Sequence, residues 1–236
     1  MTNPSADKRL ARASKPSPAS PVEKREKGPE SKIPRTQEER RTGTIRKLLD
    51  AACDELVEVG YSGATTAKIC ARAGTSQGAL FRHFPTREAL MVAVGEDIGS
   101  GMLESYAVAF RDATAPGRAN VSDPLVGALG LVRQHCRSRK NQAFYELMVA
   151  ARTDDRLKEA LGPPTAAYYV AIEGLARALL PELAEALGTR FPLLVDTLLA
   201  VFDGEALHGF VLPDTERRDA PRVELLASIV RLLSVS

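Results

Sequence analysis

From about Thr36 onward, apolar and polar positions alternate with the period of a helix. Ile45, Leu48, Leu49, Ala52, Leu56 and Val59 recur at spacings that align them on one face of a single long helix. Gly60 follows, where a left-handed residue would end it. Thr65 and Thr66 supply hydroxyls that cap a short second helix carrying Ile69, Cys70 and Ala73, and Gly74 ends that helix. Ser76 caps a third short helix bearing Leu80, Phe81 and Phe84. Pro85 and Thr86 close it and open a fourth, whose stripe is Leu90, Val94, Ile98 and Met102.

The same style continues to the end. Ser122-Asp123-Pro124 starts a helix through Leu131 and Val132, and Asn141 opens another that carries Phe144, Leu147 and Met148. Gly162-Pro163-Pro164 reads as a break between two further helices. Phe191-Pro192 opens an apolar helix running to about Leu212, ended by Pro213-Asp214, and a last helix runs from Thr215 or Pro221 to Leu233. Strand-like alternation is missing, so the fold class is all-α. Residues 1–34 carry six prolines and almost no large apolar side chains, which predicts disorder.

Composition changes the picture only through its distribution. The net charge of +2 says little, but residues 1–35 hold nine Lys/Arg against four Asp/Glu, while residues 91–236 hold fifteen against nineteen. A basic front suggests that polyanions are met at the N-terminal end. Two readings of the tail stay open: a solvated segment, or a basic arm that follows a DNA backbone. Cys53, Cys70 and Cys136 show no paired spacing and read as small buried residues of a reducing cytoplasm. No apolar run reaches the length of about 18 residues that a membrane span needs, so no membrane partner is expected.

Residues 65–84 read TTAKICARAGTSQGALFRHF, two short helices joined by a tight turn at Gly74, which is the geometry of a helix-turn-helix. Small Cys70 and Ala73 let the helices approach, and Ile69, Leu80 and Phe84 share a core with the first helix. Gly78 stands where helix propensity argues against it, at a cost of about 1 kcal/mol relative to Ala; a missing side chain there lets the backbone come close to DNA. Residues 44–91 resemble the DNA-binding region of the TetR (tetracycline repressor-like) family. The carrying residues are Gly60-Tyr61, Thr65-Thr66, Ile69, Ala73-Gly74, Ser76, Gly78-Ala79-Leu80-Phe81, His83-Phe84 and Thr86-Arg87-Glu88-Ala89-Leu90.

That resemblance implies a three-helix helix-turn-helix domain over 36–90 and a helical ligand-binding and dimerisation domain over 91–236. It implies that the third helix enters the major groove with Thr75, Ser76, Gln77, Gly78, Phe81 and Arg82 toward DNA. Gln77 and Arg82 have side chains suited to base edges. Thr65 and Thr66 lie at a helix start that favours a phosphate, and His83 and Arg87 match family positions that contact phosphate. Phe81 stands where the family often has Tyr, and Thr75 where it usually has an aliphatic residue.

In the C-terminal half, Tyr106, Phe110, Phe144, Leu147, Met148, Tyr168, Tyr169, Ile172, Phe202 and Phe210 are candidates to line a ligand cavity, and ordinary core packing is the competing reading for each. Glu146, Arg152, Asp203 and His208 are the polar candidates to orient a ligand. The resemblance implies a small-molecule effector, which the mostly apolar candidates predict to be largely apolar, a homodimer built on the last two helices, and a near-palindromic double-stranded operator. The expected function is a repressor released by that effector. An activator and a less specific DNA-coating protein remain alternatives. An enzyme is disfavoured: the sequence holds no HExxH, GxSxG, P-loop or GxGxxG, and adjacent His135 and Cys136 point to different helix faces, so no catalytic, metal or cofactor site is expected.

Overall fold

The structure, a computed structural model, describes residues 36–114, 123–212 and 219–235. The tail 1–34, Ser122, Pro213-Asp214 and Thr215 lie outside them, as does the side chain of Phe110. Among the described residues every regular element is a helix: α1 Gln37–Gly63, α2 Thr66–Ala73, α3 Gln77–His83, α4 Arg87–Thr114, α5 Pro124–Cys136, α6 Arg139–Ala151, α7 Asp155–Leu179, α8 Pro181–Leu187, α9 Phe191–Gly209 and α10 Asp219–Val235. A single 3-10 turn, Gly188–Arg190, joins α8 to α9.

The capping chemistry sets the first four elements. Thr65 Oγ1 accepts from Lys68 N and Ser76 Oγ from Ala79 N, each satisfying an amide that the helix start leaves open. Thr86 Oγ1 does the same for Ala89 N at 3.0 Å. Gly74 adopts φ 63°, ψ 40°, the left-handed cap that lets α2 end and α3 begin within three residues. Leu48, Leu56, Ile69, Leu80 and Leu90, one or more from each of α1 to α4, are wholly buried together. Val59 leaves this face: it is exposed, and its side chain closes on Gly63 instead. Gly60 also differs from a left-handed stop. Its φ of 72° with ψ of 173° is a glycine-specific extended bend, after which the helix resumes to Gly63.

Helix α4 is the axis of the molecule. Its stripe Leu90, Val94, Ile98 and Met102 is buried from end to end, against α1 at its start and α7 further along. Arg46 of α1 pairs with Asp97 of α4, Nη2 to Oδ2 at 2.8 Å. Asp123 caps α5 through Leu125 N and Val126 N, with Pro124 at the first helical position.

Two expectations are corrected. The cap of α6 is Ser138, whose Oγ accepts from Asn141 N at 3.2 Å. Asn141 lies inside the first turn, buried, and its Nδ2 donates to Cys136 O at 3.2 Å, closing the end of α5. Gly162-Pro163-Pro164 does not break the chain: α7 runs through both prolines. Neither proline can donate, so the carbonyls of Glu159 and Ala160 receive no i+4 amide. Glu159 faces solvent, and Leu157, Leu161 and Ile172 anchor the helix on both sides of the prolines.

A second core joins α5, α9 and α10 around Leu129, Phe202, Ala206, Ala227 and Val230. Beside it, Glu205 accepts from Arg133 Nε at 2.9 Å and pairs with Arg222 Nη1 at 3.0 Å, fixing the three helices to one another. Burial pushes the Glu205 carboxyl up, but the bonds from Arg133 and Arg222 outweigh it and hold its pKa below the ordinary value. Its stabilising contribution is therefore full above the unfolded carboxylate pKa of about 4.3 and is lost as pH falls through the depressed folded value. Glu205→Gln is expected to lower stability at pH 7 by about 3 kcal/mol, read as a shift in urea midpoint. The gap to the parent protein should narrow as pH drops below about 4; a gap that is constant with pH counts against this account.

Candidate nucleic-acid interface and internal cavity

Apart from the Ser76 cap, the side chains on the outward face of α3 make no hydrogen bond or ion pair among the described residues. Ser76, Gln77, Gly78, Phe81 and Arg82 are exposed, while Leu80 between them is wholly buried. Phe81 presents an aromatic ring at 43% exposure beside Arg82, which makes no ion pair among the described residues. A Cβ on Gly78 would meet nothing nearer than Ser76 Oγ at 3.9 Å, so internal packing gives no reason for glycine there. Thr65 is exposed at the start of α2, and Thr66, Thr75 and His83 are half-buried around the same face. The hydroxyls of Thr65 and Ser76 are engaged in capping the starts of α2 and α3.

Ion pairs tie α2, which leads into α3 through the Gly74 turn, to α1. Arg72 of α2 donates Nε to Glu55 at 2.7 Å and Nη1 to Glu58 at 3.1 Å, both on α1. Arg139 of α6 reaches Asp54 and Glu58 of α1 at 3.0 and 3.1 Å. Sequence reasoning passed over this clamp. The signal was Glu55, a carboxylate at a buried register of the α1 stripe, which requires a cation beside it.

Arg87 occupies a different place from the DNA-facing residues. Its guanidinium lies 4.0 Å over the ring of Tyr61, with Nε donating to Ala64 O at 3.2 Å and Nη2 donating to Tyr61 O. Tyr61 is also held from the far side. Its OH donates to Asp154, the cap of α7, at 3.1 Å, and its backbone amide donates to Glu146 of α6 at 3.4 Å. A Cβ at Gly60 would stand 3.0 Å from that same Glu146 carboxylate, so the bend needs glycine for space as well as for its backbone angles. Glu146, proposed from sequence as a ligand-orienting group, is thus directed at the helix-turn-helix.

A cavity of about 440 Å³ opens between α4, α6, α7 and α9. Of the sequence candidates, Phe144, Tyr168, Tyr169 and Asp203 line it. Gly95 and Gly99, one turn apart on α4, form part of its wall; a Cβ on Gly99 would stand 3.2 Å from Tyr168 Cδ2, so the glycine sets how near α7 can come. Tyr106 and Ile172 border a second, smaller space of about 90 Å³ whose lining is almost wholly apolar. The remaining candidates lie elsewhere, each for a packing reason. Leu147 is wholly buried in the main core, and Phe202 in the second core. Met148, Arg152 and His208 are exposed on outer helix faces, and Phe210, past the end of α9, is exposed with one edge on Tyr145 at 6.4 Å. Burial pushes the His135 imidazole, which meets the Tyr106 ring at 5.3 Å, down to about 4, so it is neutral at neutral pH.

Comparison with known proteins agrees with this geometry. Residues 48–94 match the pattern described as bacterial regulatory proteins, tetR family. An uncharacterized HTH-type transcriptional regulator of Mycobacterium tuberculosis is 38% identical over 196 residues, covering 83% of this chain and 97% of its own length. Among solved structures, a candidate transcriptional regulator from Pseudomonas aeruginosa PAO1 superposes with a TM-score of 0.63 at 24% identity, over 84% of this chain and 93% of that one. The Bacillus subtilis regulator FadR, solved with stearoyl-CoA, gives 0.54 at 16% identity, over 80% of this chain and 97% of that one. The fold and its outward α3 define a helix-turn-helix regulator. This chain belongs to the tetR family of bacterial regulatory proteins.

Gly78 offers a direct test of the interface. Gly78→Ala should raise helix stability by up to about 1 kcal/mol, seen as a higher Tm, and should weaken binding to a cognate DNA site if the backbone approaches DNA there. A stabilised variant with unchanged DNA affinity would remove that role from Gly78.

Proposed function

We propose that the protein is a sequence-specific DNA-binding repressor, working as a homodimer and released from its operator by a small molecule held in the α4–α7 cavity. The outward face of α3 supports this most strongly: Gln77, Phe81 and Arg82 are exposed on the helix that follows the ion-paired α2, and among the described residues no ion pair or side-chain hydrogen bond engages them. In this reading residues 36–90 read DNA and residues 91–236 hold the effector and the partner copy. Gln77 and Arg82 read base edges in the major groove. Thr65, Thr66, Thr75, Ser76 and His83 fix register on phosphates, with Phe81 in apolar contact beside them. Arg87, engaged by Tyr61 and Ala64, acts as a positioning residue for this surface.

Two exposed apolar stripes support the dimer. Leu193, Val201 and Leu207 lie along one face of α9, and Leu225, Ile229 and Leu232 along one face of α10. Exposed rows of large apolar side chains commonly mark an interaction surface. A two-fold pair would set two α3 helices on successive major-groove faces, roughly 34–36 Å apart.

Release requires that effector bind the DNA-incompetent arrangement better. Both walls of the cavity are tied to one residue of the helix-turn-helix. Helix α4 begins at Arg87, which covers Tyr61, and α7 is capped by Asp154, which holds the Tyr61 hydroxyl. A ligand that spreads these walls pulls on Tyr61 from both sides.

The experiment is binding of the purified full chain to genomic fragments around its own gene, at about 50 and 200 mM salt. One fragment should be retained at the higher salt. Gln77→Ala should weaken it by about 1–3 kcal/mol, and Leu232→Glu should give monomers by sedimentation and lose the fragment. Equal binding to all fragments, lost at the higher salt, would replace the repressor with a DNA-coating role. With an effector in hand, Tyr61→Phe should bind both DNA and effector yet couple them about fivefold less; wild-type release by that variant would break the proposed linkage.

A further inference from the structure

One large apolar side chain of α3 stays outside the core. Leu80 is wholly buried and Phe84, just past the helix, is 9% exposed, yet Phe81 between them is 43% exposed. Its neighbours on the outward face are Gln77, four residues back, and Arg82, both exposed and without an ion pair or side-chain hydrogen bond among the described residues. Gly78, three residues before the ring, adds no side chain. A Cβ there would meet only Ser76 Oγ within 4 Å, at 3.9 Å, so the ring is uncovered on that flank. Phe81 also carries no side-chain atom that donates or accepts a conventional hydrogen bond. It can answer neither a phosphate nor the polar edge of a base.

A helix laid in the major groove meets base edges that are polar but for one feature, the 5-methyl group of thymine. A 5-methylcytosine presents the same group. Setting a ring against that methyl removes apolar surface of both from water and favours no base that lacks it. Gln77 and Arg82 beside the ring carry the hydrogen-bonding capacity for adjoining base edges, and the open space at Gly78 lets the backbone come close enough for the ring to reach. We propose that Phe81 is a specificity-determining residue that reads the 5-methyl group of one pyrimidine in each half-site. This rests on the reading of α3 as the helix that enters the major groove, and it names the base feature that the ring selects.

The wild-type full chain first selects a site from a pool of random-sequence duplexes. On the labelled selected duplex each thymine is replaced in turn by deoxyuridine, which removes only the methyl, and each cytosine by 5-methyldeoxycytidine, which adds one. Binding is read by fluorescence anisotropy at about 200 mM salt. Deoxyuridine at one thymine per half-site should weaken wild type about fourfold, and about fifteenfold when both half-sites are changed, the loss of one buried methyl each. Phe81→Ala should bind the parent duplex about fifteenfold more weakly and lose this sensitivity, whereas Phe81→Tyr, which keeps the ring, should retain it; circular dichroism checks each fold. Deoxyuridine silent everywhere, with one cytosine whose methylation tightens wild type about fourfold but leaves Phe81→Ala unchanged, supports the ring's role and assigns 5-methylcytosine as the source. Methyl effects equal in wild type and Phe81→Ala, or absent from both, overturn the proposal, while a Gln77→Ala that weakens the same duplex keeps α3 as the reading helix. A folded Phe81→Ala that loses more than about a hundredfold overturns it too, because two methyl contacts cannot supply that much. A pool that yields no preferred sequence overturns both the proposal and the reading of α3 on which it rests.

Discussion

The guanidinium of Arg87 over the ring of Tyr61 is the contact on which the rest of the arrangement depends. A chain that leaves α1 through a bend at Gly60 must satisfy the carbonyls it turns inward before α2 can start. Arg87 does this for Tyr61 and Ala64 at once, with its charge resting on an aromatic face. Because Arg87 is also the first residue of α4, the contact fixes the end of α1, the start of α2 and the start of the longest helix to one another. The direction of α3 follows from these, since only the Gly74 turn separates it from α2. Lysine could supply the charge but not the two directed donors and the flat face together.

Much of the fold was legible in the sequence because its helix ends are chemically marked. Thr65, Gly74, Ser76, Thr86 and Asp123 cap helices as their side chains and backbone freedom require, and the stripes of α1 and α4 lie in the core apart from Val59. What was not legible depended on tertiary context. Ser138 and Asn141 are both good caps, and only the buried carbonyl of Cys136 decides which of them turns inward. The prolines of α7 carry a local veto that anchoring by Leu157, Leu161 and Ile172 overrides. For the candidate sites, aromatic residues in helices of wide apolar face cannot be divided by spacing into core and cavity. Phe144 and Phe202 look alike in sequence, yet one lines a space and the other fills one. Arg87 shows the same limit for charge: a cation beside a helix-turn-helix can face DNA or its own chain, and the difference lies in where Tyr61 comes to rest.

The cavity exists because of what α4 omits. Gly95 and Gly99 let α7 approach the axis closely enough to form a wall, while the side chains on either side of them, Glu96 and Ser100, stay at the rim. A helix that must pack along its whole length gives up propensity at these positions. Both glycines belong to the helix that carries Arg87, so a wall of the cavity and the support of α3 share one helix.

The exposure of Gln77, Gly78, Phe81 and Arg82 has an evolutionary consequence. None of these side chains is part of the core, and surface substitutions of this kind typically change stability by no more than about 0.5 kcal/mol. The set of base contacts can therefore drift, one residue at a time, without passing through an unfolded intermediate. Duplicated copies of such a gene are free to acquire new target sites while keeping the same clamp, the same axis helix and the same chamber behind them.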